Sequence, residues 1–91
     1  SLATLYLAGK SFPAVLLNES AYVAIRPLAE SLGWTIRSAA GGHVTVEAEG
    51  KTLTLASTLV EGKGHVTCRD LANALGLPIG WVASSRTITI G

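Results

Sequence analysis

The chain has few charged side chains, and it has one cysteine. Only 14% of its 91 residues are Asp, Glu, Lys or Arg, whereas about 25% is typical of soluble domains. Much of the surface must therefore consist of Ser, Thr, Gly and Ala, as on an extracellular face or on one that neighbouring domains or another copy partly cover. Because Cys68 has no second cysteine to pair with, disulfide-dense secreted scaffolds are excluded.

Long apolar runs and basic clusters are also missing. No run approaches the ~18–20 apolar residues that a membrane-spanning helix needs, so no transmembrane segment is expected. The net charge is +1 and the seven Lys and Arg residues are scattered, which predicts no nucleic-acid partner. The chain begins with Ser, and we expect it to be a piece of a longer protein, so that a missing targeting signal carries little weight.

The chain does contain an internal repeat. Residues 22–33 read YVAIRPLAESLG, and residues 65–76, forty-three positions later, read HVTCRDLANALG. Each copy predicts a strand that runs into a short helix with apolar residues at i, i+3, i+4 and i+7, ended by a glycine. A repeat predicts architecture rather than a reaction. The identical pairs are Val23/Val66, Arg26/Arg69, Leu28/Leu71, Ala29/Ala72, Leu32/Leu75, Gly33/Gly76 and Ile36/Ile79.

The repeat extends through alternating Thr/Leu and Thr/Val segments on both sides. Residues 4–8 (TLYLA) are echoed by residues 52–56 (TLTLA), and a hairpin follows each helix. Each half is predicted to be strand, strand, strand, helix, strand, strand, over about residues 4–47 and 52–90. Residues 1–91 are therefore predicted to form one α+β domain with an antiparallel, hairpin-rich sheet, two short helices and a pseudo-two-fold repeat.

Two of the predicted strands, residues 52–55 and 86–90, carry neither Pro nor an interior charge and are expected at sheet edges. Pro13 indicates a further edge or an irregular segment. Edges with so little protection favour pairing with other chains. Self-association through sheet edges, or contact with neighbouring domains of the same polypeptide, is therefore expected.

No arrangement of residues indicates catalysis. His65 and Cys68 would point to opposite faces of an extended strand, and Cys68 occupies the place of Ile25 on the apolar stripe, which predicts a buried core thiol. His43 and the carboxylates do not add a ligand set, since a metal site needs three or four ligands. We therefore predict no enzyme activity, no catalytic residue, no metal and no cofactor.

The arginine of each copy, Arg26 and Arg69, has two interpretations. It bonds carbonyls at the corner between strand and helix, or it presents its guanidinium to an anionic ligand. Glu30 stands one turn after Arg26, which predicts an ion pair between them. In the second copy, Thr67 and Asp70 have the spacing of a capping box.

The aromatic residues also have two interpretations. Aromatic rings in a small sheet usually pack in the core or along its flank, but Tyr6, Tyr22, Trp34 and Trp81 are also candidates for a sugar-stacking platform.

The stretch 22–33, closed by a hairpin that ends in Val44, Thr45 and Val46, resembles the copper amine oxidase N-terminal-like, or stalk, domain family. Residues 65–76, followed by Trp81 and the strand 86–90, show the same pattern. Ala24 and Thr67 stand where the signature has proline, and Val82 stands where it has aspartate. The resemblance covers almost the whole chain.

The resemblance implies an accessory module of secreted or envelope-attached bacterial proteins. In the amine oxidases that give the family its name, the copper ligands and the redox cofactor belong to a separate catalytic domain. The expected function is therefore a non-catalytic stalk or attachment module, located outside the cell or in its envelope, that presents or anchors a neighbouring domain. The alternative is a module that binds a cell-wall or extracellular polysaccharide. Candidate ligand-binding residues are Tyr22, Arg26, Trp34, Arg69 and Trp81.

Overall fold

The computed structural model describes residues 1–91 as ten strands, two α-helices and one 3₁₀ turn. The first half contains β1 Leu2–Leu7, β2 Lys10–Leu17, β3 Ser20–Ala24, α1 Ile25–Leu32, β4 Thr35–Ala40 and β5 His43–Ala48. The second half contains β6 Lys51–Ala56, β7 Thr58–Val60, β8 Lys63–Thr67, α2 Cys68–Leu75, β9 Ile79–Val82, the 3₁₀ turn Ala83–Ser85 and β10 Thr87–Ile90. Both halves thus have the predicted order of strands and helix, and the α+β class is confirmed.

The strands form two sheets. The larger has seven strands in the order β7-β8-β3-β2-β1-β10-β9, and the smaller has three in the order β4-β5-β6. Every pair in both sheets is antiparallel except β1 and β10, which run parallel with Thr4 opposite Thr87 and Leu7 opposite Ile90. The larger sheet is therefore mixed, because the first strand of the domain lies beside the last.

A pseudo-two-fold axis passes between β3 and β8. Val23 lies opposite Val66, its own equivalent in the repeat, while Tyr22 lies opposite Thr67 and Ala24 opposite His65. An axis that exchanges two antiparallel neighbours stands perpendicular to their sheet. The two helices that follow these strands therefore lie on the same face of the larger sheet.

The symmetry ends upstream of this pair. Equivalent positions are 48 apart at Thr4 and Thr52 but 43 apart at Val23 and Val66, so the second half has five fewer residues here. Residues 8 and 9 turn the chain between β1 and β2, whereas only Ser57 separates β6 from β7. One residue is too few to reverse a strand. The chain therefore passes from β6 in the smaller sheet to β7 in the larger one, and Ser57 N–H donates to the Gly42 carbonyl at 2.9 Å at this corner.

The edges of the sheets differ in part from expectation. The larger sheet ends at β7 and β9, and the smaller one at β4 and β6. Residues 52–55, within β6, lie at an edge as predicted. The prediction for residues 86–90 is wrong, because β10 lies between β1 and β9.

Pro13 does not mark an edge or an irregular segment, since β2 lies between β3 and β1. Pro13 faces Thr4, whose N–H donates to the Arg86 carbonyl on the other side at 3.0 Å. The nitrogen of Pro13 therefore points towards β3, and pairing of β2 with β3 ends one residue away, at Ala14 and Val23. Pro13 is tolerated because no ladder hydrogen bond is needed there.

The core contains 21 buried residues, none of them polar or charged. The helix stripes are buried as predicted, through Ile25, Leu28 and Ala29 in α1 and through Cys68, Leu71 and Ala72 in α2. Helices of eight residues would not persist alone in water. Packing of these stripes against the strands therefore stabilises both helices.

The two helices begin differently. The Thr67 hydroxyl accepts the Asp70 N–H at 3.1 Å, which confirms one half of the predicted capping box; the Asp70 carboxylate makes no return bond to the Thr67 N–H. At the start of α1 the equivalent residue is Ala24, which provides no side-chain cap. The residue that would donate to such a cap is Pro27, which has no N–H. Cap and donor are thus both missing from α1.

Thr67→Ala is expected to lower the free energy of unfolding by about 1 kcal/mol, the usual effect of losing a helix N-cap. The reciprocal change, Ala24→Ser, is expected to raise it by much less, because the third helical residue of α1 cannot donate. Urea unfolding of both variants measures the two effects. A gain from Ala24→Ser as large as the loss from Thr67→Ala would contradict this account.

Candidate functional site

The surface carries two open grooves that the pseudo-two-fold axis relates. The α1 groove, of about 700 Å³, lies at the start of α1, and the α2 groove, of about 710 Å³, lies at the start of α2. Each groove takes its helix from one half of the chain and a β-hairpin from the other. The equivalent lining residues include Arg26/Arg69, Ile36/Ile79, Leu59/Leu16 and Gly64/Ala21.

Small residues dominate the far wall of the α1 groove. Ala39, Ala40, Gly41 and Gly42 form this wall at the tip of the β4–β5 hairpin. The charged groups of the groove are Arg26, Glu30 and Lys63, and it contains no aromatic ring.

The α2 groove combines an aromatic ring with charges of both signs. Trp81 on the edge strand β9 is 49% exposed, and Arg69 at the start of α2 lines the same groove. Glu19 and Asp70 are the acidic residues of this groove. A flat ring, a guanidinium and two carboxylates can together contact a ligand that has both an apolar face and hydroxyl groups.

The structure separates the five predicted ligand-binding residues. Arg26 lines the α1 groove, while Arg69 and Trp81 line the α2 groove. Tyr22 lines a third, smaller cavity of about 280 Å³. Trp34 is only 8% exposed and belongs to the core. The five candidates therefore do not share one surface, and Trp34 is not accessible to a ligand.

The side chains of Arg26 and Arg69 make no hydrogen bond and no ion pair within the protein. The predicted ion pair between Arg26 and Glu30 does not form, and the only ion pair joins Arg37 and Glu47 at 3.6 Å. Arg86 is the one arginine whose side chain makes hydrogen bonds. Arg26 and Arg69 therefore do not bond carbonyls at the strand–helix corners. The other interpretation, a guanidinium that is free to meet a ligand, agrees with the structure, because an exposed arginine lies beside each groove.

Arg86 makes contacts that the sequence did not indicate. Its Nε donates to the Leu2 carbonyl at 2.9 Å and its Nη2 donates to the Ser1 hydroxyl at 2.8 Å. Its φ of 51° places it in the left-handed region. The only sequence signal is the extra residue in this hairpin, which is accommodated in the 3₁₀ turn that Arg86 ends.

The His65–Cys68 pair does not form a reactive site. Cys68 is 1% exposed, as predicted for a core thiol, and burial raises its pKa from 9.0 to about 11. His65 uses its Nδ1 in a contact with the Lys63 carbonyl at 2.8 Å. No three His, Cys, Asp or Glu side chains come together in a possible metal-binding group.

The raised pKa of Cys68 predicts a loss of stability at high pH. The folded chain holds the thiol proton more tightly than the unfolded chain. The stability that this proton contributes is therefore complete below pH 9 and is lost as pH rises towards 11. The free energy of unfolding should therefore fall between pH 9 and 11, and by less in Cys68→Val.

The buried thiol should also react slowly with a disulfide reagent at pH 8 until denaturant is added. Equal rates in both states would contradict its burial.

Comparisons with protein-family models, curated proteins and solved structures give no significant match. Neither helix is long and apolar enough to cross a membrane.

Proposed function

We propose that this domain is a non-catalytic stalk or attachment module of a secreted or envelope-attached bacterial protein. The parallel pairing of β1 with β10 carries the proposal. Because the two strands run side by side in one direction, the chain enters the sheet at one end of the pair and leaves it at the other. β1 has six residues, and Ile90 at the end of β10 lies opposite Leu7 at the end of β1, so these points are about 17 Å apart at ~3.3 Å per residue. Neighbouring domains joined there would be held apart rather than side by side.

The distribution of ionisable groups supports a structural role. No polar or charged side chain is buried, and the thiol of Cys68 is the one titratable group in the core. Catalytic acids, bases and nucleophiles usually have shifted pKa values that depend on burial and close charges. The exposed groups of this domain are better suited to contact than to chemistry.

A tandem of two chains, joined from residue 91 to residue 1, tests the stalk proposal. Spin labels at residue 1 of the first copy and residue 91 of the second should be roughly 35 Å apart in pulsed EPR, about twice the ~17 Å between the ends of one copy. A distance no greater than that between the ends of one copy would show that the copies fold back on each other and would contradict the role.

Self-association through the edge of β6 is part of this proposal. The Ser57 N–H bond to the Gly42 carbonyl fixes which residues of β6 bond to β5, because hydrogen-bonded pairs alternate along an antiparallel ladder. The backbone groups of Thr52, Thr54 and Ala56 therefore point away from β5. This edge is regular, with one charge, Lys51, at its beginning, so a second copy can pair with it.

The isolated domain is expected to form dimers as its concentration rises from micromolar to near-millimolar, as sedimentation velocity can show. Thr54→Lys, which places a charge in the middle of the edge, should weaken the dimer. Ser84→Lys adds the same charge in the exposed 3₁₀ turn and should leave it unchanged. A clean monomer throughout, or equal effects of the two variants, would contradict pairing through β6.

Polysaccharide binding is a second candidate function, and the shared groove of Arg69 and Trp81 favours it. A sugar ring can stack on the indole while the guanidinium and the carboxylates bond its hydroxyls. Titration with a tetramer of N-acetylglucosamine should then change the emission of exposed Trp81. Trp81→Ala should abolish the change, and Arg26→Ala in the equivalent α1 groove should leave it unchanged. The absence of any change at millimolar sugar would contradict binding of such sugars.

A further inference from the structure

We propose that β1 and β10 form a mechanical clamp that carries tension through the domain, with Arg86 as its latch. The inference rests on the proposed stalk only for its use in the cell. The clamp itself follows from which strands receive the load and from the bonds between them.

The direction of the load determines how these strands separate. Tension applied at the two ends of the chain pulls β1 back along its axis at its beginning and pulls β10 forward at its end. Since the strands are adjacent and parallel, they are forced to slide past each other. Their evenly spaced hydrogen bonds are then loaded together. In a hairpin pulled at its open end, by contrast, the bonds open one after another.

The pairing of β1 with β10 is continuous, and one face of the pair is buried. Thr4 donates its N–H to the Arg86 carbonyl at 3.0 Å, and the paired register continues to Leu7 and Ile90. Leu5 and Ile88 lie opposite each other and are both buried. On its other side, β1 pairs with β2 along its whole length. Water is therefore kept from the apolar side of the bonds that bear the load.

Arg86 ties the beginning of β1 to the beginning of β10. Its side chain donates to the Leu2 carbonyl and to the Ser1 hydroxyl, while its own carbonyl accepts the Thr4 N–H. These three bonds lie where tension first reaches β1. Before β1 can slide, it must break its bonds to Arg86 as well as the ladder.

The backbone of Arg86 has a positive φ of 51°, as five other non-glycine residues of the chain also do. This left-handed conformation costs energy for a residue with a side chain, and glycine adopts it freely. Glycine at position 86 would relieve the backbone but would provide no latch.

Single-molecule pulling on concatemers of the full chain tests the clamp. With load at residues 1 and 91, the unfolding force should be at least about twice that with load at Ser11→Cys and residue 91. In the second geometry both handles act at the same end of the strand pair, so its bonds open in sequence. Buried Cys68 does not compete for the handle. Equal forces in the two geometries would overturn the clamp.

The latch is tested separately, by Arg86→Gly. Loss of its two side-chain bonds should raise the unfolding rate at constant force about tenfold. The folding equilibrium should change by less than about threefold, because relief of the positive φ offsets the lost bonds. The matched control is Glu61→Gly, which relieves a φ of 52° in the β7–β8 turn and should leave the forced unfolding rate unchanged. An unchanged rate in Arg86→Gly would overturn the latch.

The clamp and the stalk can fail independently. A folded-back tandem in solution with a high unfolding force would contradict the stalk and leave the clamp standing. An extended tandem with equal forces in both pulling geometries would contradict only the clamp.

Discussion

Leu71→Ala and Leu28→Ala are each expected to lower the free energy of unfolding by about 2–5 kcal/mol, the range for truncating a buried leucine. Both side chains are fully buried at the centre of their helix stripes. The larger loss is expected at Leu71, because α2 packs against β3, β6, β8, β9 and β10, whereas α1 packs against β3, β4 and β8.

Urea unfolding measures these losses, with Leu59→Ala as the matched control. Leu59 is 74% exposed on the edge strand β7, so its truncation should change stability by less than about half a kcal/mol. A loss of less than about half a kcal/mol in Leu28→Ala or Leu71→Ala would show that the repeated helices do not hold the core together.

Val66→Asp is expected to cost more than about 4 kcal/mol, at the exceptional end for single substitutions. Val66 is buried opposite Val23 on the pseudo-two-fold axis. A carboxyl group placed there would be buried without a partner, at one of the two strand pairs that join the two halves in the larger sheet. Thr52→Asp, on the exposed side of β6, is the control and should cost little.

The two tryptophans test whether the halves unfold together. Trp34 lies in the first half and Trp81 in the second, so Trp81→Phe and Trp34→Phe each leave one reporter. Both reporters should show the same urea midpoint, and the loss in Val66→Asp should appear equally in both, because a domain with one core unfolds in one transition. Two separate midpoints would mean that the halves are independent units.

The sequence predicted the helices and the core more reliably than the relations between strands. The stripes that contain Leu28 and Leu71, and the glycines that end the helices, are local patterns, and local patterns determine short elements. That β10 lies beside β1 depends on residues more than eighty positions apart. No local pattern encodes such a pairing. The wrong prediction of an edge at residues 86–90 has this cause.

The candidate site shows the same limit. The resemblance between the two copies pointed to Arg26 and Arg69, which occupy equivalent grooves. It could not separate Trp34, which enters the core, from Trp81, which stays exposed. Trp34 directly follows the glycine that ends α1, whereas Trp81 lies on β9 at the edge of the larger sheet. For Arg86 the extra residue of its hairpin was the only sequence signal, because its contacts are with Ser1 and Leu2 at the other end of the chain.

The composite construction of the grooves restricts how this domain can change by recombination. The α1 groove needs the β7–β8 turn of the second half, and the α2 groove needs the β2–β3 turn of the first. A crossover at residues 49 and 50, between the halves, would therefore join each helix to a foreign turn and alter both grooves at once. Compensating substitutions must arise in the opposite half, so the two halves are inherited as a matched pair although each has the same order of elements.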